Sequence, residues 1–181
     1  MRILRCCVAI ALIVGHTAYL GARQNRPPEQ ITADRREPLR LARHAHRTHL
    51  LGTVNLYTIA LYSDAAGDRA ALASIDVAKA LRIEVTFEED LRRPVPIDWR
   101  RELVPALEPD AVALLRGSVA SLRRGDVVQI EYVPDKGTTV RVNKGVVVTG
   151  AHHGLMLAFL DHWLGERPVS DEIKRTLRDG A

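Results

Sequence analysis

The chain has 181 residues, a formal net charge of +4 and hydrophobic residues at 46% of its positions. This length suffices for one domain with a real core and is short for two. The basic residues are dispersed and not interleaved with aromatic ones, so the mild charge does not indicate nucleic-acid binding.

The first 22 residues have the three parts of a secretory signal peptide. Arg2 and Arg5 form a basic start, residues 6–15 are almost continuously apolar, and small residues lead to Ala22. Cleavage after Ala22 is expected, which predicts a periplasmic or secreted protein. An uncleaved anchor is the alternative, although a bilayer-spanning helix needs roughly 20 apolar residues.

Both cysteines, Cys6 and Cys7, lie inside this leader. The mature chain is therefore expected to contain no disulfide and no cysteine-based metal site. Residues 23–37 are polar, contain two adjacent prolines and are predicted to be a disordered lead-in. The globular domain is predicted to span residues 38–181, and it is not expected to cross a membrane.

Strand patterns dominate the first part of this domain. Residues 39–46 alternate apolar and basic side chains and predict an edge strand. Residues 53–62 are rich in β-branched and aromatic side chains and predict a central strand. A short helix is expected within residues 64–74, and a further strand over residues 78–87.

The middle of the domain predicts two helices and the start of a meander. Apolar residues at helical spacing indicate one helix within residues 94–107 and another over residues 109–122. Strands are predicted over residues 127–133 and 138–142. The next three residues, Asn143 to Gly145, predict a tight turn in which Asn and Gly have positive φ.

A third meander strand is predicted over residues 146–149. An amphipathic helix over residues 151–164 ends at Gly165, and a last helix follows over residues 170–177. Strands and helices come in separate runs rather than in strict alternation. This favours an α+β fold, with a large, mainly antiparallel sheet and helices layered on one face.

Three stretches of the chain resemble the bacterial chalcone isomerase-like domain family of the chalcone isomerase superfamily. Residues 55–62 (NLYTIALY) are similar to the family's KVYxxALY strand, and residues 132–143 (YVPDKGTTVRVN) to its hairpin. Residues 163–170 (WLGERPVS) are similar to the segment before its terminal helix. The resemblance implies an open-faced sandwich of sheet and helices with a cleft between the two layers.

The resemblance also implies a set of catalytic groups. In the plant isomerases a phenolate adds to an activated double bond, assisted by an arginine and several polar side chains. Here residues 42–48 replace the family's glycine-rich lead-in. Arg47 is the arginine nearest to the position of the family's catalytic arginine. It could occupy that position only through a bulge or a shifted loop.

The other polar positions of the family are also changed. Tyr57 stands where the plant strand has threonine, and residues 94–102 contain neither the expected tyrosine nor the expected asparagine. Ile173 stands near the late polar position. Because the polar groups that would stabilise the developing charge are absent, no chalcone isomerase activity is predicted.

The favoured hypothesis is an exported, non-catalytic protein that binds a small amphipathic molecule, such as a fatty acid, in the cleft. Arg47 would bind the ligand carboxylate, with Tyr57 and Asn55 beside it. A solvated strand-end arginine and a core tyrosine are the alternatives. Two other functions stay open: an intramolecular lyase-type isomerase that uses Arg47, and a structural or interaction protein of the cell envelope.

The histidines do not favour a metal site. His44 and His46 would share a strand face, whereas His49 would face away, and zinc requires three or four converging ligands. A further pair, His152 and His153, starts a helix. No nucleophile elbow or glycine-rich phosphate loop is present, so neither a metal nor a cofactor is expected.

Overall fold

A computed structural model of the chain describes residues 26–32, 37–49, 54–63, 68–86 and 122–179. Within these ranges, seven strands form one antiparallel sheet in the order β1-β2-β3-β4-β5-β6-β7. The strands are β1 (Gln30–Ile31), β2 (Leu39–His49), β3 (Val54–Ser63), β4 (Lys79–Val85), β5 (Val127–Val133), β6 (Gly137–Val142) and β7 (Gly145–Ala151). The helices of the described part are α1 (Arg69–Ala73), α2 (His153–Leu164) and α3 (Asp171–Asp179).

The α+β class and the antiparallel sheet confirm the sequence prediction. The strands predicted within the described residues and the two C-terminal helices are present, with ends shifted by a few residues. The two helices predicted within residues 94–107 and 109–122 lie outside the described residues.

The segment interpreted as a disordered lead-in contains a short strand, so that prediction was wrong for residues 30 and 31. β1 pairs with the first two residues of β2, and the side chain of Ile31 is buried. The carbonyl oxygen of Pro28 accepts a hydrogen bond from the Tyr62 hydroxyl at 2.9 Å. Burial of Ile31, the hydrogen bond from Tyr62 and the backbone pairing with β2 hold this polar segment against the sheet. They also make β2 an inner strand at its start rather than the predicted edge.

One face of the sheet, here called the helix face, carries the main hydrophobic core. Side chains of a strand alternate between the two faces, so every second residue of β3, β4 and β5 points to the helices. α2 lies over β5 and β6, while α3 lies against β2. The largest buried members of this core are Ile59, Leu61, Leu81, Ile130, Leu155, Met156, Phe159, Trp163 and Ile173.

The opposite face of the sheet, here called the polar face, combines hydrogen-bonded polar residues with a small apolar cluster of Ile31, Leu39, Ala60, Tyr62 and Ala80. Glu131 is 1% exposed and forms an ion pair with Arg141, and it also accepts a hydrogen bond from Gln129 at 2.9 Å. Arg82 and Glu84 form a second ion pair at 3.1 Å. A buried carboxylate needs such partners because its desolvation is otherwise costly.

The turn between β6 and β7 is closed by an asparagine side chain. Asn143 has a φ of 55°, and its Oδ1 accepts a hydrogen bond from the Val127 backbone N–H at 2.9 Å. The expectation of positive φ holds for Asn143 and was wrong for Gly145, whose φ is not positive. The side chain therefore ties the turn to β5, and the turn needs only one left-handed residue.

Candidate functional site

The pairing of β2 with β3 places Arg47 directly opposite Tyr57. Residues directly opposite each other in an antiparallel pair share a face, with Cβ atoms about 4.5–5.5 Å apart. The pairing register shifts between Arg47 and Thr48, which indicates a bulge at this point. That Arg47 takes the place of the family's catalytic arginine stays a prediction. Asn55 pairs with Thr48 just beyond this shift, and its part in any site stays a prediction.

Tyr57 is 6% exposed, and its hydroxyl lies inside the core of the helix face. The hydroxyl oxygen accepts a hydrogen bond from Nε1 of Trp163 at 3.1 Å, across 106 residues of sequence. Burial raises the pKa of Tyr57 above 10.0, although the Trp163 hydrogen bond and the nearby charge of Arg47 oppose the rise. Tyr57 is therefore a neutral phenol that still has a proton to donate.

That proton has no acceptor among the described residues, because the one hydrogen bond of the Tyr57 hydroxyl is the one it accepts. Arg47 is half-buried, and its guanidinium has neither a hydrogen bond nor an ion pair within the described part of the chain. By contrast, Arg82 and Arg141 on the polar face are each paired with a carboxylate. Arg47 and Tyr57 thus present two uncommitted donors side by side, which suits recognition of an anion.

The sequence patterns did not single out Trp163 as a functional residue. Its place in the apolar stripe of α2 indicated only a core side chain, and it is fully buried. The one sequence feature that could have drawn attention to Trp163 is its place in residues 163–170 (WLGERPVS), one of the three stretches that resemble the family. The contact with Tyr57 depends on how α2 crosses the sheet, and no local pattern contains that information.

Ile173, at the position expected near the family's late polar residue, is 1% exposed in the core of the helix face. An apolar side chain at this position offers no hydrogen bond to a reacting group. Residues 94–102, which the sequence predicts to lack the other polar helpers, lie outside the described residues.

A second cluster of chemically notable residues was missed by the sequence interpretation. Lys79 is fully buried, and its Nζ donates to the Ser74 carbonyl oxygen at 2.5 Å and lies 4.9 Å from the ring centroid of Tyr132. The ring of His153 lies 4.4 Å from that of Tyr132, and its buried Nε2 has no hydrogen-bond partner. Burial lowers the pKa of Lys79 to about 8, and burial together with Lys79 lowers the pKa of His153.

Two histidines of β2, His44 and His46, lie on the polar face. His44 and His46 stack edge to face with ring centroids 5.8 Å apart, and Nδ1 of His46 is 2.9 Å from the Thr58 hydroxyl. Burial and the neighbouring His44 lower the pKa of His46. Across the described ranges, no three His, Cys, Asp or Glu residues come together in a way that could hold a metal ion.

A cavity of about 730 Å³ opens at the end of the sheet where β2 begins and β3 ends. It is lined by Gln30, Glu37, Pro38, Arg40, Leu41, Ala42 and Ser63. Arg47 and Tyr57 are not among its lining residues, so this cavity is separate from the candidate site. No helix in the described ranges is both long and apolar enough to cross a membrane.

An up-and-down antiparallel sheet with helices packed on one face is the architecture of a chalcone isomerase-like protein. The profile described as chalcone isomerase-like matches residues 23–177, and the chain belongs to this family. This confirms the resemblance inferred from the sequence.

Among solved structures, a fatty-acid binding protein from Arabidopsis thaliana is similar, with a TM-score of 0.57 and 14% sequence identity. The match covers 84% of this chain and 91% of the other. At this identity the likeness shows the fold alone. No curated protein matches the chain significantly in sequence.

Proposed function

We propose that the protein binds a small amphipathic carboxylate, such as a fatty acid, without catalysing a reaction. The ligand head group would lie against Arg47 and Tyr57 at the bulged end of β2. The observation that carries this proposal is the pair of uncommitted donors, one guanidinium and one buried hydroxyl, on directly opposed residues. The fatty-acid binding protein of the same fold supports the choice of ligand class.

Charge and hydrogen bonding favour a carboxylate over a neutral head group. A guanidinium only donates hydrogen bonds, and its planar fork matches the two oxygens of a carboxylate. The Tyr57 hydroxyl stays protonated because burial raises its pKa, so it donates at neutral pH. An acyl chain would continue from this head group along apolar surface, where burial of each CH₂ contributes about 0.8 kcal/mol.

Ligand binding is tested with the purified, delipidated protein and a fluorescent fatty acid. Arg47→Met is expected to weaken binding about tenfold or more, and Tyr57→Phe about fivefold to tenfold. The larger effect is expected for Arg47 because a hydrogen bond from a charged donor is stronger than one from a neutral donor. Dissociation constants from displacement titrations measure both effects, and native mass spectrometry of the purified protein shows whether a ligand is carried along.

The chain offers matched controls for both variants. Tyr62→Phe also removes a buried tyrosine hydroxyl of β3, but that hydroxyl donates to Pro28 on the other side of the sheet. Arg40→Met removes an exposed arginine of the same strand that lines the separate cavity. Both controls should bind like the wild type. Weakened binding in Arg40→Met with unchanged binding in Arg47→Met would place the ligand in that cavity and contradict the proposal.

We also propose that the protein is exported and that the leader is removed after Ala22, on the basis of its basic, apolar and small-residue regions. Expression of the full chain in a bacterial host should yield envelope-located protein whose N-terminal residue is Arg23. Recovery of the uncleaved chain from the membrane would support the anchor instead.

A further inference from the structure

Trp163 lies beneath the candidate head-group site and contacts it through a single polar atom. Its side chain is fully buried in α2, and its Nε1 donates to the Tyr57 oxygen at 3.1 Å. An indole N–H can only donate, whereas a tyrosine hydroxyl can donate or accept. The hydrogen bond therefore runs from Trp163 to Tyr57, and this direction decides whether the Tyr57 hydroxyl donates to a ligand or accepts from it.

Because the Tyr57 oxygen already accepts from Trp163, the hydroxyl is directed to donate its own proton. The neighbouring Arg47 can also only donate. Both groups therefore require an acceptor. An ionised carboxylate accepts from both and has no donor of its own, whereas an alcohol oxygen can accept from them but its own O–H finds no acceptor at Arg47 or Tyr57. A buried donor without an acceptor costs roughly 1–3 kcal/mol, which is enough to discriminate between otherwise similar ligands.

We infer that Trp163 is a positioning residue that holds the Tyr57 hydroxyl as a donor and so makes the site selective for ionised carboxylates over alcohols of the same chain length. This inference rests on the proposed function, because it assumes that the head group lies at Arg47 and Tyr57. It goes beyond that function by assigning selectivity to a residue that does not touch the ligand.

The selectivity is measured as the ratio of dissociation constants for a fatty alcohol and the fatty acid of equal chain length. In Trp163→Phe the Tyr57 oxygen is free to accept from an alcohol hydroxyl, so the ratio should fall about fivefold to tenfold. Taking both constants on one variant cancels any loss of folded protein. Phe159→Leu also removes buried volume from α2 but leaves this hydrogen bond in place, and its ratio should equal that of the wild type.

A double-mutant cycle separates positioning from packing. In the Tyr57→Phe background, Trp163→Phe should cause no further change in the ratio, because the hydroxyl through which Trp163 acts is gone. An equal fall in both backgrounds would overturn the inference. An unchanged ratio in Trp163→Phe, with fatty acid still bound at Arg47, would overturn it and leave the proposed function standing. Failure of the wild type to bind either ligand would overturn the proposed function itself.

Should Trp163→Phe not fold, NMR of the wild type provides the second measurement. The chain has two tryptophans, and the indole signal that moves in Tyr57→Phe identifies Trp163. Fatty acid should shift this signal downfield more than the alcohol does, because donation to an anion polarises the Tyr57 hydroxyl and strengthens its hydrogen bond to Trp163. Equal shifts with both ligands, or no shift, would contradict the inference.

Discussion

Tyr57 and Tyr62 lie in the same strand and are both buried, yet their hydroxyls have opposite roles. Tyr62 donates its proton to a backbone carbonyl, whereas Tyr57 accepts from an indole and keeps its proton. Burial removes water from both groups, so each needs a partner within the protein. The Tyr62 hydroxyl is therefore fully engaged with the backbone, whereas the Tyr57 hydroxyl still has a proton to donate.

Lys79 is the residue whose burial is least expected from the sequence. Its side chain is inaccessible to solvent, and its described contacts are a carbonyl oxygen and an aromatic face rather than a carboxylate. A charge without a counter-charge is poorly solvated there, which is why burial lowers its pKa to about 8.

The pKa of Lys79 predicts a rise in stability with pH on the alkaline side. Between about pH 8 and 10.5 the unfolded chain binds a proton that the folded chain has released, so the free energy of unfolding increases with pH in that window. The gain is about 1–2 kcal/mol between pH 8 and 9.5. Urea unfolding at several pH values measures this gain.

Lys79→Met retains the aliphatic stem and removes the titrating amine, so this variant should lose the alkaline gain. The pH range of this gain must end near pH 10. Burial raises the pKa of Tyr62 to about 12, so above about pH 10 tyrosines ionise in the unfolded chain before Tyr62 ionises in the folded one, and the free energy of unfolding falls. An equal slope in wild type and Lys79→Met would show that the buried lysine is not its source.

At the scale of elements, α2 contributes to both groups of polar residues on the helix face, which are the candidate site at Tyr57 and the cluster around Lys79. Its first residue, His153, lies by Lys79 and Tyr132, and Trp163 near its other end reaches Tyr57. The helix ends at Gly165, where the conformation is not left-handed. A glycine is needed there because a Cβ atom would collide with the Asp161 carbonyl oxygen.

The first turn of α2 is predicted to loosen in mild acid. The pKa of His153 is lowered by burial and by Lys79, so below about pH 6.5 the unfolded or locally opened state takes up a proton that the docked state resists. Tyr132 faces the ring, and the Asp76 and Asp135 carboxylates act on Tyr132 rather than on His153. Hydrogen-exchange protection of residues 155–160 should fall severalfold between about pH 7 and pH 5.5.

His153→Gln removes the titrating group and should make that protection independent of pH in this range. His46→Gln is the matched control, since His46 also has a lowered pKa but lies on the polar face and should leave the acid response of α2 unchanged. Constant protection of the wild-type helix across this pH range would contradict the prediction.

At the scale of the whole molecule, membership of the chalcone isomerase-like family defines the fold but not the chemistry. The candidate site has a guanidinium at Arg47 and a hydroxyl at Tyr57, while the apolar Ile173 lies in the core. A single cation with one donor can bind an anion, but it lacks the set of groups that stabilises a developing enolate.

Chalcone cyclisation should therefore proceed at the same rate with and without the protein. Absorbance of a chalcone over time measures this, with Arg47→Ala as the comparison. A wild-type rate above the background that is lost in Arg47→Ala would support the isomerase alternative and contradict a purely binding function.

Local patterns of the sequence determined the strands, the C-terminal helices and the α+β class, because alternation and helical spacing report directly which side chains are buried. The comparison with the family's motifs also gave Arg47 and Tyr57 as candidate site residues, and their role stays a prediction. The short strand β1 was missed because a single buried isoleucine in a polar segment gives no periodic signal.

Only the tertiary structure decided how these residues meet. The bulge beyond Arg47 set its register with Tyr57, and the crossing of α2 over the sheet brought Trp163 to the same hydroxyl. Packing likewise enclosed Lys79 beside His153. Contacts between residues far apart in the chain depend on the three-dimensional arrangement of whole elements, and no local pattern carries that information.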